Sequence, residues 1–341
     1  MNSQVIKFVA GGGKTTRSEK ILKKECNGLY LAFTNSVVKE INNLGYLSRT
    51  IDSLFQSFII PKFTSIIPLI ASGSKIKYIE TDNLPSYQKG IANIKIDNEG
   101  NLYNVTKRLK ININTKNSDL HNMTSNDSVG ILKNIFSKKE LRLTNSLRSD
   151  LSNYLIRNYP KEIIEILNAR FSYIIIDEAQ DLKNYRENFA KLLYDSQIKL
   201  ILLGDDNQNI NGGGQWFESL QADEIKKDSY RCPDNNCEWI RHKLNIEIYG
   251  NSNFSIFKHI DFNEILKYDD GVKSLLYNAK SGKNKEIIES WTGPKYTIKS
   301  AKGSTIYTDI VILGNTINKK NYYTAITRTT KNVYSTIIKC K

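Results

Sequence analysis

Apolar and polar residues follow two periods along this chain, one of strands and one of helices, and the two alternate from the start. Gln4 to Val9 and Leu29 to Phe33 read as extended segments, while Thr16 to Cys26 and Ser36 to Asn43 carry their apolar residues at helical spacing. Strands that alternate with helices pair in parallel through right-handed crossovers. Tyr173 to Ile176 and Lys199 to Leu203 are near-continuous apolar runs, the pattern of strands covered by helices on both faces. Both run into an acidic or glycine-rich turn, and open α/β sheets place their ligands beyond the carboxyl ends of such strands. From Ser229 onward strand-like runs return at Ser274 to Tyr277, Ile310 to Leu313 and Val333 to Ile338, which predicts a second α/β domain. Between about residues 56 and 165 the periodicity loosens into Ser/Asn/Lys-rich sequence, including Thr106–Lys116 and the basic stretch Ser137–Arg148. An inserted subdomain with mobile loops is expected there.

A length of 341 residues suits two domains of ordinary size. Lys+Arg 49 against Asp+Glu 35 leaves a net charge of +14, an excess that favours polyanions such as nucleic acid. A soluble protein rich in Lys, Asn and Ile from an AT-rich genome would show the same balance. No signal peptide opens the chain, and no apolar run approaches the roughly 20 residues needed to cross a bilayer, so a soluble intracellular protein is expected. Cys26, Cys232, Cys237 and Cys340 read as reduced thiols and, with three histidines in the chain, make a poor zinc cage.

Two segments carry chemistry by themselves. Val9-Ala-Gly-Gly-Gly-Lys-Thr-Thr16 follows a strand and opens a helix, the context in which Gly11, Gly12 and Gly13 let backbone N–H groups wrap phosphates. Lys14 would reach the β- and γ-phosphates and Thr15 would ligate Mg²⁺, with Thr16 beside it. The full GxxxxGK[ST] pattern fails at its first position, Phe8, so the loop is a shortened one, and a plain glycine-rich turn is the alternative. Tyr173-Ile-Ile-Ile-Asp-Glu-Ala-Gln-Asp181 places Asp177 and Glu178 at the tip of a buried strand. Asp177 would hold the ion and Glu178 would accept the proton of the attacking water. The alternative is an acidic turn capping the next helix.

DEAQD after an apolar strand resembles the Walker B segment of UvrD-like helicases of superfamily 1, and the other motifs of that family follow in order. Leu31-Ala-Phe-Thr-Asn35 looks like motif Ia and Thr50-Ile-Asp-Ser-Leu-Phe55 like motif Ib. Leu203-Gly-Asp-Asp-Asn-Gln208 looks like motif III and Ser229-Tyr-Arg-Cys-Pro233 like motif IV. Thr297-Ile-Lys-Ser-Ala-Lys-Gly303 is similar to motif V and Tyr323-Thr-Ala-Ile-Thr-Arg328 to motif VI. The resemblance implies two RecA-like phosphate-loop NTPase domains with parallel sheets, ATP and Mg in the cleft between them. The first would comprise residues 1–55 and 166–222, with an accessory subdomain inserted at 56–165, and the second residues 223–341. It implies that Gln208 senses the γ-phosphate, that Arg231 and Arg328 are arginine fingers, and that Tyr230 stacks on the base of ATP while Gly303 borders the nucleotide. Phe33, Thr34, Asn35, Thr50, Ser53, Trp216, Thr297 and Lys302 are the implied nucleic-acid contacts. Their alternatives are core packing for Phe33 and a solvated lysine for Lys302.

The implied activity is that of an ATP-hydrolysing helicase or translocase moving 3′→5′ on single-stranded DNA, with RNA as the alternative track. The implied setting is a monomer working in the cytoplasm, nucleoid or a viral host compartment, with replication or repair proteins as partners. The sequence departs from the family in several places. With only a few residues before the first strand, the adenine-reading Gln segment of the family is expected to be missing; Lys299 stands where the family has His, and Thr305 where a Glu contacts ribose. Between Pro233 and Thr297, where larger relatives insert a regulatory subdomain, this chain has residues enough only for core elements. A phosphate-loop kinase or GTPase-like switch would explain residues 9–16 and 173–181 but not the paired arginines. A nucleic-acid-binding protein with a decayed NTPase site, or a translocase that does not unwind, stays open.

Overall fold

The computed structural model describes residues 3–24, 26–63, 66–67, 75–78, 94–104, 110–112, 136–137, 140–278 and 283–340. Of the expected inserted segment 56–165, residues 64–65, 68–74, 79–93, 105–109, 113–135 and 138–139 lie outside these residues. The fold is α/β with parallel sheets, as the alternating periods predict. Two compact units divide it. One is formed by Met1–Ser3, Asn27–Ile176 and Lys183–Leu200, the other by Gln4–Cys26, Asp177–Leu182 and Ile201–Lys341.

In the unit that begins at Asn27, strand β2 (Gly28–Ala32) lies between Tyr173–Ile176 and strand β3 (Ser48–Thr50), all parallel. Gly28 sits against the Tyr173 ring, and a Cβ there would fall 2.1 Å from the Tyr173 Cζ. Helix α2 (Asn35–Asn43) follows β2 and is capped by Thr34, whose side chain accepts from Val37 N. The short helix α3 (Ile51–Leu54) follows β3 and is capped by Thr50 in the same way, at 3.1 Å from Ser53 N. These caps satisfy amides that a helix leaves unpaired at its start. Phe55 is fully buried and meets Tyr185 and Phe189 edge-on, at ring distances of 5.4 and 5.0 Å. Such pairs add about 0.5–1.5 kcal/mol beyond area burial. The later part of the inserted segment is helical, at Asn145–Asn158 and Pro160–Asn168.

In the other unit, strand β1 (Ser3–Phe8) pairs in parallel with Glu224–Lys226 and leads to helix α1 (Lys14–Lys24). A five-stranded parallel sheet follows, in the order Phe257–His259, Val333–Ser335, Ile310–Leu313, Ser274–Tyr277, Lys295–Thr297. Successive side chains of a strand point to opposite faces. Leu276, Ile310 and Ile312 accordingly join one core cluster with Ile298, Tyr323 and Ile326, while Leu275, Val311 and Leu313 join another with Ile288 and Trp291. Both faces are dry, which explains the continuous apolar runs. The strand that starts at Val333 ends at Ser335 rather than Ile338, because Thr336 Oγ1 turns to Gly314 O (2.8 Å) and Ile338 N to Asn315 O (3.0 Å). The interval from Pro233 to Thr297 is used by helices and strands of this unit, as its length suggests. Among the described residues no helix is long and apolar enough to cross a membrane.

Candidate nucleotide site and nucleic-acid surface

After β1 the backbone turns through Gly11 and Gly13, both left-handed at φ 71° and 81°, and α1 starts at Lys14, two residues earlier than the periodicity predicts. A Cβ at Gly11 would lie 2.7 Å from Arg231 Cβ, and one at Gly13 would lie 3.2 Å from the Tyr230 ring. Side chains are excluded from this cradle by conformation and by space. Side chains and backbone from Ser229–Tyr230 and Tyr323 hold the loop. Ala10 N donates to the Tyr323 hydroxyl (2.8 Å), Ser229 Oγ donates to Ala10 O (2.7 Å), and Tyr230 N donates to Gly11 O (3.0 Å). The first-turn amides of α1 have no intrahelical acceptor, and the helix start favours negative charge. A cradle of this kind, with Lys14 at the first helical position, fits a polyphosphate.

The acidic tip follows the strand Tyr173–Ile176. Asp177 is buried and its Oδ1 accepts from Glu178 N (2.8 Å), while Glu178 itself takes a left-handed backbone at φ 51°. Non-glycine residues in that region are strained and are held there by their surroundings. Here Lys14 Nζ donates to Glu178 Oε1 at 2.6 Å and Gln180 Nε2 donates to Oε2. Burial alone would push the Glu178 carboxyl up, but Lys14 and Lys302 outweigh it and hold it down to about 2. Burial likewise opposes the charge on Lys14, and Glu178 and Asp177 more than restore it, raising its pKa. A carboxyl depressed on folding stabilises the fold fully above its unfolded value near 4.5, and that contribution is lost as pH falls toward 2. Urea unfolding stepped from pH 5 to pH 2.5 is therefore expected to show a steeper loss of stability in the wild type than in Glu178→Gln. Equal slopes would remove Glu178 from the acid response.

A buried polar chain extends from this tip. Gln180 Oε1 accepts from Asp205 N (3.0 Å); Asp205 Oδ2 accepts from Gln208 Nε2 (2.7 Å) and from Tyr323 OH (3.0 Å). Gln208 Oε1 accepts from Arg328 Nη2 (2.9 Å), whose Nε donates to Thr324 O (3.0 Å). Arg328 is 1% exposed, and burial together with the nearby Arg231 lowers its pKa to about 10. Arg231 donates to Ser304 O at 3.2 Å and is also lowered, by burial. A buried guanidinium with a second, half-buried one nearby suits an anionic ligand. Tyr230 is 75% exposed with its edge over Gly13, which leaves its ring available for stacking.

The second constellation lies in the unit that begins at Asn27. Phe33, Thr34, Asn35, Thr50 and Ser53 line one cavity of about 600 Å³ with Asp52, Gln56, Arg148 and Arg186. Arg186 lies over the Phe33 ring at 5.6 Å, and its Nε and Nη2 donate to the two Asp52 oxygens at 2.8 and 2.7 Å. Arg148 Nη2 reaches Asp52 Oδ2 at 2.8 Å, and the Tyr185 hydroxyl donates to Oδ1. Burial alone would raise the Asp52 carboxyl, but the bonds from Arg186 and Tyr185 hold it below its ordinary range.

The structure thus gathers Gly11, Gly12, Gly13, Lys14, Asp177, Glu178, Gln208, Tyr230, Arg231 and Arg328 in one unit, with Thr15 and Thr16 exposed on the first turn of α1. It gathers Phe33, Thr34, Asn35, Thr50 and Ser53 around one cavity in the other. Trp216, Thr297 and Lys302 do not line that cavity. Trp216 is half-buried at the start of Trp216–Ser219, and Thr297 caps Ile298–Ala301 by accepting from Ser300 N (3.0 Å). Lys302, expected at a nucleic-acid phosphate, is instead turned inward: its ammonium donates to both Asp181 oxygens (2.7 and 2.6 Å) and to Gln208 O (2.6 Å). An ammonium and a carboxylate this buried hold each other in place, since either alone would be costly. Gly303 has φ 86° and open space around it. Sequence reasoning missed Gln180, Asp181, Asp205 and Tyr323, although all four stand inside the segments it singled out. It also missed Arg186, whose position carries no motif, and named Arg148 only as the end of the basic stretch Ser137–Arg148.

Residues 10–212 match the UvrD/REP helicase N-terminal domain, and residues 130–335 match the viral superfamily 1 RNA helicase core domain. The RecBCD enzyme subunit RecB of Borreliella burgdorferi is 31% identical over 160 residues, which is 44% of this chain and 13% of that protein. Among solved structures, the PRRSV helicase aligns over 98% of this chain and 52% of its own, at 13% identity and a TM-score of 0.48. Arterivirus nonstructural protein 10 (helicase) with DNA aligns over 98% of this chain and 60% of its own, at 13% identity and a TM-score of 0.47. The chain spans a small part of RecB and somewhat over half of the two helicase structures. Because the first of these matches takes in more than half of its residues, the chain belongs to the UvrD/Rep helicases of superfamily 1.

Proposed function

We propose that this chain hydrolyses ATP with Mg and uses the cycle to move along single-stranded nucleic acid, 3′→5′ on DNA. The observation that carries the reading is the continuous set of polar contacts, partly buried at Lys14 and Glu178 and buried from Asp205 onward, that runs from these two residues through Gln180, Asp205 and Gln208 to Arg328. The proposed site has a phosphate-loop side, of Gly11 to Thr16 with Asp177, Glu178 and Gln208, and an arginine side, of Tyr230, Arg231 and Arg328. Asp177 and Thr15 would hold Mg, which when bound draws charge from the phosphate oxygens. Lys14 is the group that must change partners. Its ammonium now holds Glu178 Oε1, and phosphate oxygens would compete for it, releasing that carboxylate oxygen to take the proton of the attacking water. Arg231 and Arg328 would stabilise charge developing on the γ-phosphate, so turnover requires both sides of the site. The test is an ATPase assay with and without single-stranded DNA and RNA. Stimulated turnover supports a motor. Binding without turnover favours a decayed site, and stimulated turnover without strand separation favours a translocase.

The cavity around Phe33 is the proposed track. Small hydroxyl and amide groups there bond phosphates, and the Phe33 ring, backed by Arg186, offers a stacking face. Phe33→Ala is expected to weaken single-strand binding by about 1–3 kcal/mol, the worth of one base–aromatic stack. The affinity of the wild type is expected to fall with salt at a slope of about −0.7 in log K per neutralised phosphate. Titrations of a fluorescent oligonucleotide at several salt concentrations read both. A flat salt response, or unchanged affinity in Phe33→Ala, places the track elsewhere. Lys138 and Lys139 of the basic stretch lie outside the described residues, as does the side chain of Arg142.

A further inference from the structure

Tyr323 sits in the helix Lys319–Ile326, fully buried, with its hydroxyl between two groups of different chains of contact. Ala10 N can only donate, so the phenol oxygen accepts from it and gives its single proton to Asp205 Oδ2. The same Asp205 oxygen accepts from Gln208 Nε2, and because a guanidinium cannot accept, Gln208 must present Oε1 to Arg328. The Gln208 amide therefore has one orientation. Tyr323 is also joined to Arg328 through its own helix, since its carbonyl accepts from Thr327 N (3.1 Å) and Thr327 Oγ1 (2.9 Å), and Arg328 Nε binds Thr324 O. Ala10 directly precedes the glycines of the phosphate loop, and its carbonyl is held by Ser229, two residues before Arg231. The two peptide groups that flank Ala10, at the base of the loop, are thus each fixed by a side chain from one of the two arginine-bearing segments.

We infer that Tyr323 is a positioning residue for hydrolysis, tying the peptide of Ala10 to the orientation of Gln208 and Arg328. The inference rests on the ATPase reading above. Tyr323→Phe keeps the ring and its packing but leaves Ala10 N without its partner in a buried setting and takes one of two donors from Asp205 Oδ2, which keeps Gln208 Nε2. The expected result is a fall in kcat of at least tenfold with nucleotide affinity within threefold of wild type, and faster amide hydrogen exchange in the peptide spanning residues 9–13. A residue that only fills the core would lower thermal stability while leaving both kcat and that exchange unchanged, and this outcome overturns the inference. Asp205→Asn tests the other end of the bond should Tyr323→Phe fail to fold, and the double variant should lose no more than either single one. If wild type and Lys14→Ala show equal ATPase activity, the ATPase reading fails by itself. The exchange measurement then still decides whether Tyr323 secures Ala10, and unchanged exchange sinks the tie.

Discussion

Arg328→Ala is expected to lower nucleic-acid-stimulated ATP turnover by about 10³–10⁵, the range for loss of an arginine finger, while nucleotide affinity stays much closer to normal. The reason is that its contact with γ-phosphate charge would strengthen only as that charge develops. The structure adds a complication. Arg328 is buried and its Nη2 donates to Gln208 Oε1, so truncation also leaves that amide oxygen unpaired, at about 1–3 kcal/mol of stability. Arg231→Ala separates the two effects, because its hydrogen bond goes to a backbone carbonyl, Ser304 O, at the edge of the site. It is expected to reduce turnover by orders of magnitude with little change in melting temperature. Lysine should rescue neither position, since it keeps the charge but loses the planar fork. Affinity for a fluorescent nucleotide analogue, measured beside steady-state turnover at saturating single strand, distinguishes the outcomes. Turnover of Arg328→Ala within a few-fold of wild type would show that the segment Tyr323–Arg328 does not serve the reaction.

Lys14→Ala and Glu178→Gln are both expected to abolish hydrolysis, and by different routes. Lys14 meets phosphate, so its loss should weaken nucleotide binding as well as turnover. It also leaves the partly buried Glu178 carboxylate without its principal countercharge, which adds repulsion toward an anionic ligand. Glu178→Gln keeps the shape and the bond from Lys14 but cannot accept a proton, so it should hold ATP without cleaving it. Rapid filtration of radiolabelled ATP reads this as retained, uncleaved nucleotide. Near-normal turnover in Glu178→Gln would move the catalytic base to another group.

The alternation of strands and helices, the buried strand Tyr173–Ile176, the glycine cradle and the acidic tip were all legible in the sequence. Each depends on residues adjacent along the chain: apolar periodicity sets the element, glycine sets the turn, and the last strand residue sets where the next side chain points. Three strands, Tyr173–Ile176, Ser274–Tyr277 and Ile310–Leu313, fall where the periodicity puts them. The start of α1 does not, because Lys14 and Thr15 are polar and the apolar pattern that reveals a helix begins only after its first turn. What the tertiary structure alone decided are partnerships between residues far apart in number. Nothing local in the sequence says that the Tyr323 hydroxyl would bond Ala10 and Asp205, that Lys302 would turn inward to Asp181, or that Arg148 and Arg186 would converge on Asp52. A hydroxyl, an ammonium or a guanidinium takes whichever acceptor folding buries beside it, and burial is what makes that choice binding, because an unpaired polar group in the interior costs more than the bond it would form in water.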